Sequence, residues 1–136
     1  MVFTGINYFA VIVAGLVYFF LGAIWYSPLL FVKPYMRYRS LLTGASEAAL
    51  KPLDFVITAV AEILAAFVLA VLLESLGITT ILPAIVLALF VVIAFSAGIM
   101  LVHDIYNGAH VVLWLINSSY NVVAFVLMAI ILVLWQ

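Results

Sequence analysis

The chain has 136 residues, no cysteine, four Lys and Arg against five Asp and Glu, and a net charge of −1. Hydrophobic residues make up 71% of it, charged residues 7%, and the mean hydropathy is +1.52, whereas a soluble domain is about 45–50% apolar and about 25% charged. These values exclude an ordinary soluble globular protein, a nucleic-acid binder, a disordered tail and a disulfide-stapled secreted domain, and leave an integral membrane protein.

A helix needs about 20 largely apolar residues to cross about 30 Å of hydrocarbon. No charge occurs from Met1 to Val32, which places a first span at about 6–26. Its start carries no Lys or Arg, and its apolar run exceeds the about 7–15 residues of a signal-peptide core, so it is expected to stay in the mature protein. The next stretch, 33–53, holds Lys33, Arg37, Arg39 and Lys51. Its first half mixes basic and aromatic residues and predicts a short amphipathic segment lying on the membrane, its basic side chains reaching lipid head groups. Thr43-Gly44-Ala45-Ser46 is expected to break that segment. The main reading of this connection is a loop that fixes topology, and the other is lipid or partner docking.

A second span follows at 54–75, with Pro52 in its first turn and Asp54 complementing its positive N-terminal end. The turn Leu76-Gly77-Ile78-Thr79-Thr80 leads into a third span at 78–101, where Pro83 falls in the first turns and Ser96 with Gly98 loosens the far end. A turn from His103 to His110 precedes a fourth span at 111–135. Trp25, Tyr26 and Trp135 fall at span ends, where interfacial belts place aromatic rings. Basic residues in short loops stay in the cytoplasm, so the connection 33–53 is expected inside and both termini outside. The expected fold class is all-α, an integral membrane four-helix transmembrane bundle with an amphipathic interfacial segment between helices 1 and 2, a single domain over 1–136. A bacterial inner membrane is the expected location.

Glu62 lies about 13 Å into its span, near the bilayer midplane, where an ionised carboxylate is costly. It reads either as a proton- or cation-handling site or as a neutral acid bonding a neighbouring helix. In the fourth span Asn117-Ser118-Ser119-Tyr120-Asn121 interrupts an apolar helix at a similar depth. Asn117 and Asn121 share a helix face, flanked by Ser118, and Tyr18 of the first span falls near that level. Tyr18, Glu62, Asn117, Ser118 and Asn121 therefore predict an intramembrane polar layer, either self-bonded in a dry core or lining a narrow wet path. Small residues stripe the first span at Ala10, Ala14, Gly15, Gly22 and Ala23, and the second at Ala61, Ala65, Ala66 and Ala70, which permits close backbone approach. His103, Asp104 and His110 are weak metal candidates, since zinc wants three or four convergent ligands and no Cys accompanies them.

Ile6-Asn7-Tyr8-Phe9-Ala10-Val11, Leu21-Gly22-Ala23-Ile24-Trp25-Tyr26-Ser27-Pro28-Leu29-Leu30-Phe31, Lys33-Pro34-Tyr35-Met36-Arg37 and Leu115-Ile116-Asn117-Ser118-Ser119-Tyr120 resemble a family of small bacterial four-span membrane proteins catalogued as domain of unknown function 1761. The resemblance implies one four-helix membrane unit and assigns neither an activity nor a functional residue. With no nucleotide loop, catalytic triad or paired carboxylates in the sequence, the reading is a non-enzymatic multi-pass protein, a structural or accessory subunit of a membrane assembly. The alternative is a small oligomeric proton or ion channel or transporter with Glu62 as its gate or proton-carrying acid. Expected partners are the bilayer and either further copies or a larger membrane complex, without nucleic acid and without a cofactor.

Overall fold

The computed structural model describes residues 3–43 and 50–136, and among them every regular element is a helix. They are α1 (Tyr8–Trp25), α2 (Val32–Thr43), α3 (Pro52–Ser75), α4 (Ile81–Asn107) and α5 (Val111–Leu134). All but α2 are long and apolar enough to cross a membrane. The expected break at Thr43-Gly44-Ala45-Ser46 lies, from Gly44 onward, outside the described residues.

Local chemistry sets the helix ends. Asn7 caps α1 by accepting a hydrogen bond from the Ala10 N–H (3.2 Å), satisfying one of the free donors of the first turn. Its amide also donates to the Trp135 carbonyl (2.8 Å), tying the start of α1 to the end of α5. Pro28 follows α1 closely, and the Ser27 hydroxyl turns back onto the Ile24 carbonyl (2.6 Å). Pro52 opens α3, where the Asp54 carboxylate accepts from the Lys51 N–H (2.8 Å), as the sequence suggests. Gly77 (φ +64°) and Gly108 (φ +67°) adopt the left-handed conformation that ends α3 and α4, at little steric cost for glycine.

Two boundaries move relative to the sequence reading. The third span, expected at 78–101, starts at Ile81 and runs on to Asn107. His103 and Asp104 are therefore on the last turns of a helix, not in a loop. Polar residues mark where an apolar run ends, whereas the helix itself continues until Gly108 supplies a left-handed stop. Ser96 and Gly98 do coincide with a disturbance, which takes the form of a π-helical turn at Val92–Ala97, in the middle of α4. That turn is held from α5: the Trp114 indole N–H donates to the Ala97 carbonyl (2.8 Å), and Asn121 Nδ2 donates to Ser96 Oγ (3.0 Å).

The helices are not arranged as a symmetric square. α1 and α5 are central, with α3 against α1 and α4 against α5, while α3 and α4 scarcely touch. Small residues make the central approach close. Ala10, Ala14, Ala66, Ala84, Ala88, Ala124 and Ala129 are almost fully buried around Leu69, Leu73 and Met128. Gly15 faces the α3 backbone so closely that a Cβ there would sit 2.6 Å from Ile63 Cα. In lipid such fits supply van der Waals contact, since moving an apolar side chain from lipid to protein gains little by itself.

Candidate functional site

Below the Gly15–Ile63 contact the interior becomes polar. The Tyr18 hydroxyl donates to Asn121 Oδ1 (2.5 Å), and Asn121 Nδ2 passes on to Ser96 in the π turn of α4. One turn toward the α2 end, the Tyr26 hydroxyl donates to Asn117 Oδ1 (2.5 Å), and the Trp25 indole donates to the Ile116 carbonyl (3.1 Å). Asn117 and Asn121 thus share a face, as their spacing requires, and each meets a tyrosine of the antiparallel α1.

Glu62 reaches this layer through Tyr120. The Tyr120 hydroxyl donates to Glu62 Oε1 (2.8 Å) and lies 3.1 Å from the Tyr18 carbonyl oxygen. Its ring sits among Tyr18, Tyr26 and Trp25, with centroid separations of 5.2, 5.5 and 6.3 Å. Gly22 makes room for it, because a Cβ there would lie 2.7 Å from the Tyr120 oxygen. Glu62 is 8% exposed, and its second oxygen, Oε2, is buried without a hydrogen-bond partner among the described residues. Ser118 is also buried, but its hydroxyl has no partner among the described residues and takes no part in the layer.

Of the predicted set, the structure brings Tyr18 and Asn121 into direct contact, joins Glu62 to them through Tyr120, and pairs Asn117 with Tyr26. Tyr120, Tyr26, Trp25 and Ser96 are participants that the sequence reading did not select. Tyr120 stands three residues after Asn117 and so lies on the same helix face, a signal that was present. Tyr26 and Trp25 carry the signature of interfacial anchors, which conceals inward hydrogen bonding.

A cleft of about 740 Å³ opens beside this layer, toward the end of the bundle that carries α2. Phe19, Gly22 and Ala23 of α1 with Tyr26, which caps it, form one wall, and Asp54, Phe55, Thr58 and Glu62 of α3 another. Tyr35, Met36 and Arg39 of α2 lie at its mouth, and Tyr120 reaches its floor. All four basic residues belong to this end: Lys33, Arg37 and Arg39 on α2, and Lys51 as the cap of α3. Arg37 lies over the Tyr38 ring (5.8 Å) and Arg39 over that of Tyr35 (5.9 Å). Tyr38 also stacks on His110 at 4.2 Å, which fastens α2 to the start of α5.

His103, Asp104 and His110 do not converge. His103 Nδ1 is 3.9 Å from Asp104 Oδ1 with its ring largely in the open, and Asn107 bonds the same ring (2.9 Å). His110 caps α5, its Nδ1 accepting from the Val112 N–H (3.2 Å). Among the described residues no group of three His, Cys, Asp or Glu is placed to hold a metal ion.

A family model described as "Protein of unknown function (DUF1761)" matches the chain over residues 9–133. No curated protein and no solved structure matches the chain.

Proposed function

Because the chain belongs to the DUF1761 family, a family of unknown function, its role has to be argued from geometry, and we propose that it is a non-enzymatic structural or accessory subunit of a membrane assembly. The observation that carries this reading is the open flank between α3 and α4. An apolar groove of about 300 Å³ runs there, lined on α3 by Ala61, Leu64, Ala65, Val68, Leu69 and Leu72, and closed by Val91 and Phe125. The alanine stripe of α3 divides: Ala66 and Ala70 turn into the core, whereas Ala61 and Ala65 line the groove. Small residues one turn apart leave the α3 backbone open to close approach, the geometry by which transmembrane helices associate. α4 is correspondingly underused, with 17% of its most apolar stretch buried against 39% for α5. A transmembrane helix of another subunit, a second copy of the chain or a different protein, would complete this fourth side.

The positive-inside rule places the basic α2 end in the cytoplasm and both termini outside, in a bacterial inner membrane on the proposed assignment. Leucine at Ala61, which is exposed, and at Ala65, which is half-buried at the edge of the core, tests the reading, since both side chains line the groove. The double variant should fold as the parent does and migrate at the mass of a single chain in mild detergent. If its stoichiometry matches the parent's, the groove is not the docking face.

One observation favours a second reading, a proton or ion pathway through Glu62: the buried Oε2 without a partner beside a cleft. Within a single chain the way beyond it is closed by Ala66, Leu69, Leu73, Ala124 and Met128. A pathway would therefore have to run between chains, and depends on the same assembly.

A further inference from the structure

The cleft beside Glu62 lies between α1, α2, α3 and α5, away from the α3–α4 groove, and its chemistry is of another kind. Its volume, about 740 Å³, falls within the range of about 300–1,000 Å³ typical of small-molecule sites. The inner part is built from aromatic rings around one carboxyl group: Phe19, Tyr26 and Tyr120 stand near Glu62, and Phe55 lies nearer the mouth. Among the described lining residues the one basic side chain, Arg39, belongs to α2 at the mouth, where it lies over Tyr35. Asp54, also toward the mouth, is engaged by the Lys51 N–H.

We propose that this cleft binds a lipophilic amine in its ammonium form, with the head group on the Glu62 carboxylate and the apolar body between the rings. Glu62 is 8% exposed, and among the described residues one of its oxygens is bonded, by Tyr120, and the other is not. The free Oε2 is an unfilled acceptor. Presenting an oxygen to the cleft takes a change of the last side-chain torsion, which is broad for glutamate. An ammonium supplies both an N–H donor and the charge that a buried carboxylate requires. Tyr26, Tyr120 and Phe19 line the cleft, and aromatic rings both attract a cation and pack against an apolar body. An anionic head group would meet the carboxyl at the floor and is disfavoured. The cleft opens near the level of α2, so an amphiphile dissolved in the adjacent leaflet reaches it without crossing water.

The test uses the full chain in phosphatidylcholine nanodiscs, titrated calorimetrically with 1-adamantylamine and with 1-adamantanol, with protein-free discs as the partitioning reference. Both probes have the same cage and a donor, but only the amine carries charge. The amine should bind saturably and at least about tenfold more tightly than the alcohol. Glu62→Gln should weaken amine binding at least about tenfold and affect the alcohol far less, since only the amine loses a charge partner. Thr58→Trp, at an exposed position on the cleft wall, should block the amine while Glu62 stays in place, and this decides the matter should Glu62→Gln fail to fold. Absence of saturable amine binding, equal binding of the two probes, or full amine affinity in a folded Glu62→Gln or Thr58→Trp would each overturn the proposal. The outcome is independent of whether the α3–α4 groove takes another helix.

Discussion

The hydroxyl of Tyr120 and the carboxyl of Glu62, 58 residues apart in the chain, meet at 2.8 Å inside the bundle, and this bond carries the buried acid into the α1–α5 hydrogen-bond layer. A donor removed from such a pair leaves a buried acceptor stranded, which costs about 1–3 kcal/mol, whereas an isosteric change that keeps the bond costs far less. Tyr120→Phe should therefore lower unfolding stability by about that amount, and Glu62→Gln by less than about 1 kcal/mol. Reversible unfolding in mixed micelles measures both. Equal losses would mean that the Tyr120 bond is not what holds Glu62.

Gly15 marks a close approach of α1 to the α3 backbone. Any Cβ there would overlap the Ile63 backbone, which cannot swing aside as a side-chain tip can. Gly15→Val should destabilise by about 1–3 kcal/mol, the usual cost of overpacking, and should widen the α1–α3 separation measured between spin labels on the two helices. Gly15→Val with unchanged stability and spacing would contradict the contact.

Tyr18 and Asn121 allow a double-mutant cycle. Tyr18→Phe and Asn121→Ala each break their shared bond, and Asn121→Ala also releases Ser96 in the π turn. Interhelical polar pairs in membranes average about 0.6 kcal/mol and reach about 1.7. The coupling energy is expected in that interval. Because the π turn is held by Asn121 and Trp114, hydrogen exchange at Val92–Ala97 should rise more in Asn121→Ala than in Tyr18→Phe, and equal protection would separate the π turn from the layer.

Much of this architecture is legible in the sequence. The spacing of charges among apolar residues locates the spans, and α1, α3 and α5 begin and end within two residues of the expected limits. The i, i+4 relation of Asn117 and Asn121 places them on one face, and depth along the helices brings Tyr18 to the right level. What could not be read is pairing across the bundle. Depth does not say that Asn117 meets Tyr26 while Tyr18 meets Asn121, nor that Glu62 is reached through Tyr120, because those choices depend on helix rotation. The π turn adds another loss: an extra residue per turn shifts the register of α4, so Ser96 faces Asn121 in a way that regular helical spacing does not foretell. Likewise Ala61, Ala65, Ala66 and Ala70 of α3 look alike in sequence, and only helix rotation separates the buried pair from the pair on the flank.

Native mass spectrometry of the chain extracted gently from its source membrane, without overexpression, tests the subunit reading most directly. The α3–α4 flank predicts a fixed stoichiometry of more than one chain, with copies of itself or with another membrane protein, and the Ala61→Leu, Ala65→Leu double variant should release it as a single chain. A parent protein that leaves the membrane as a single chain carrying lipid alone would contradict the account.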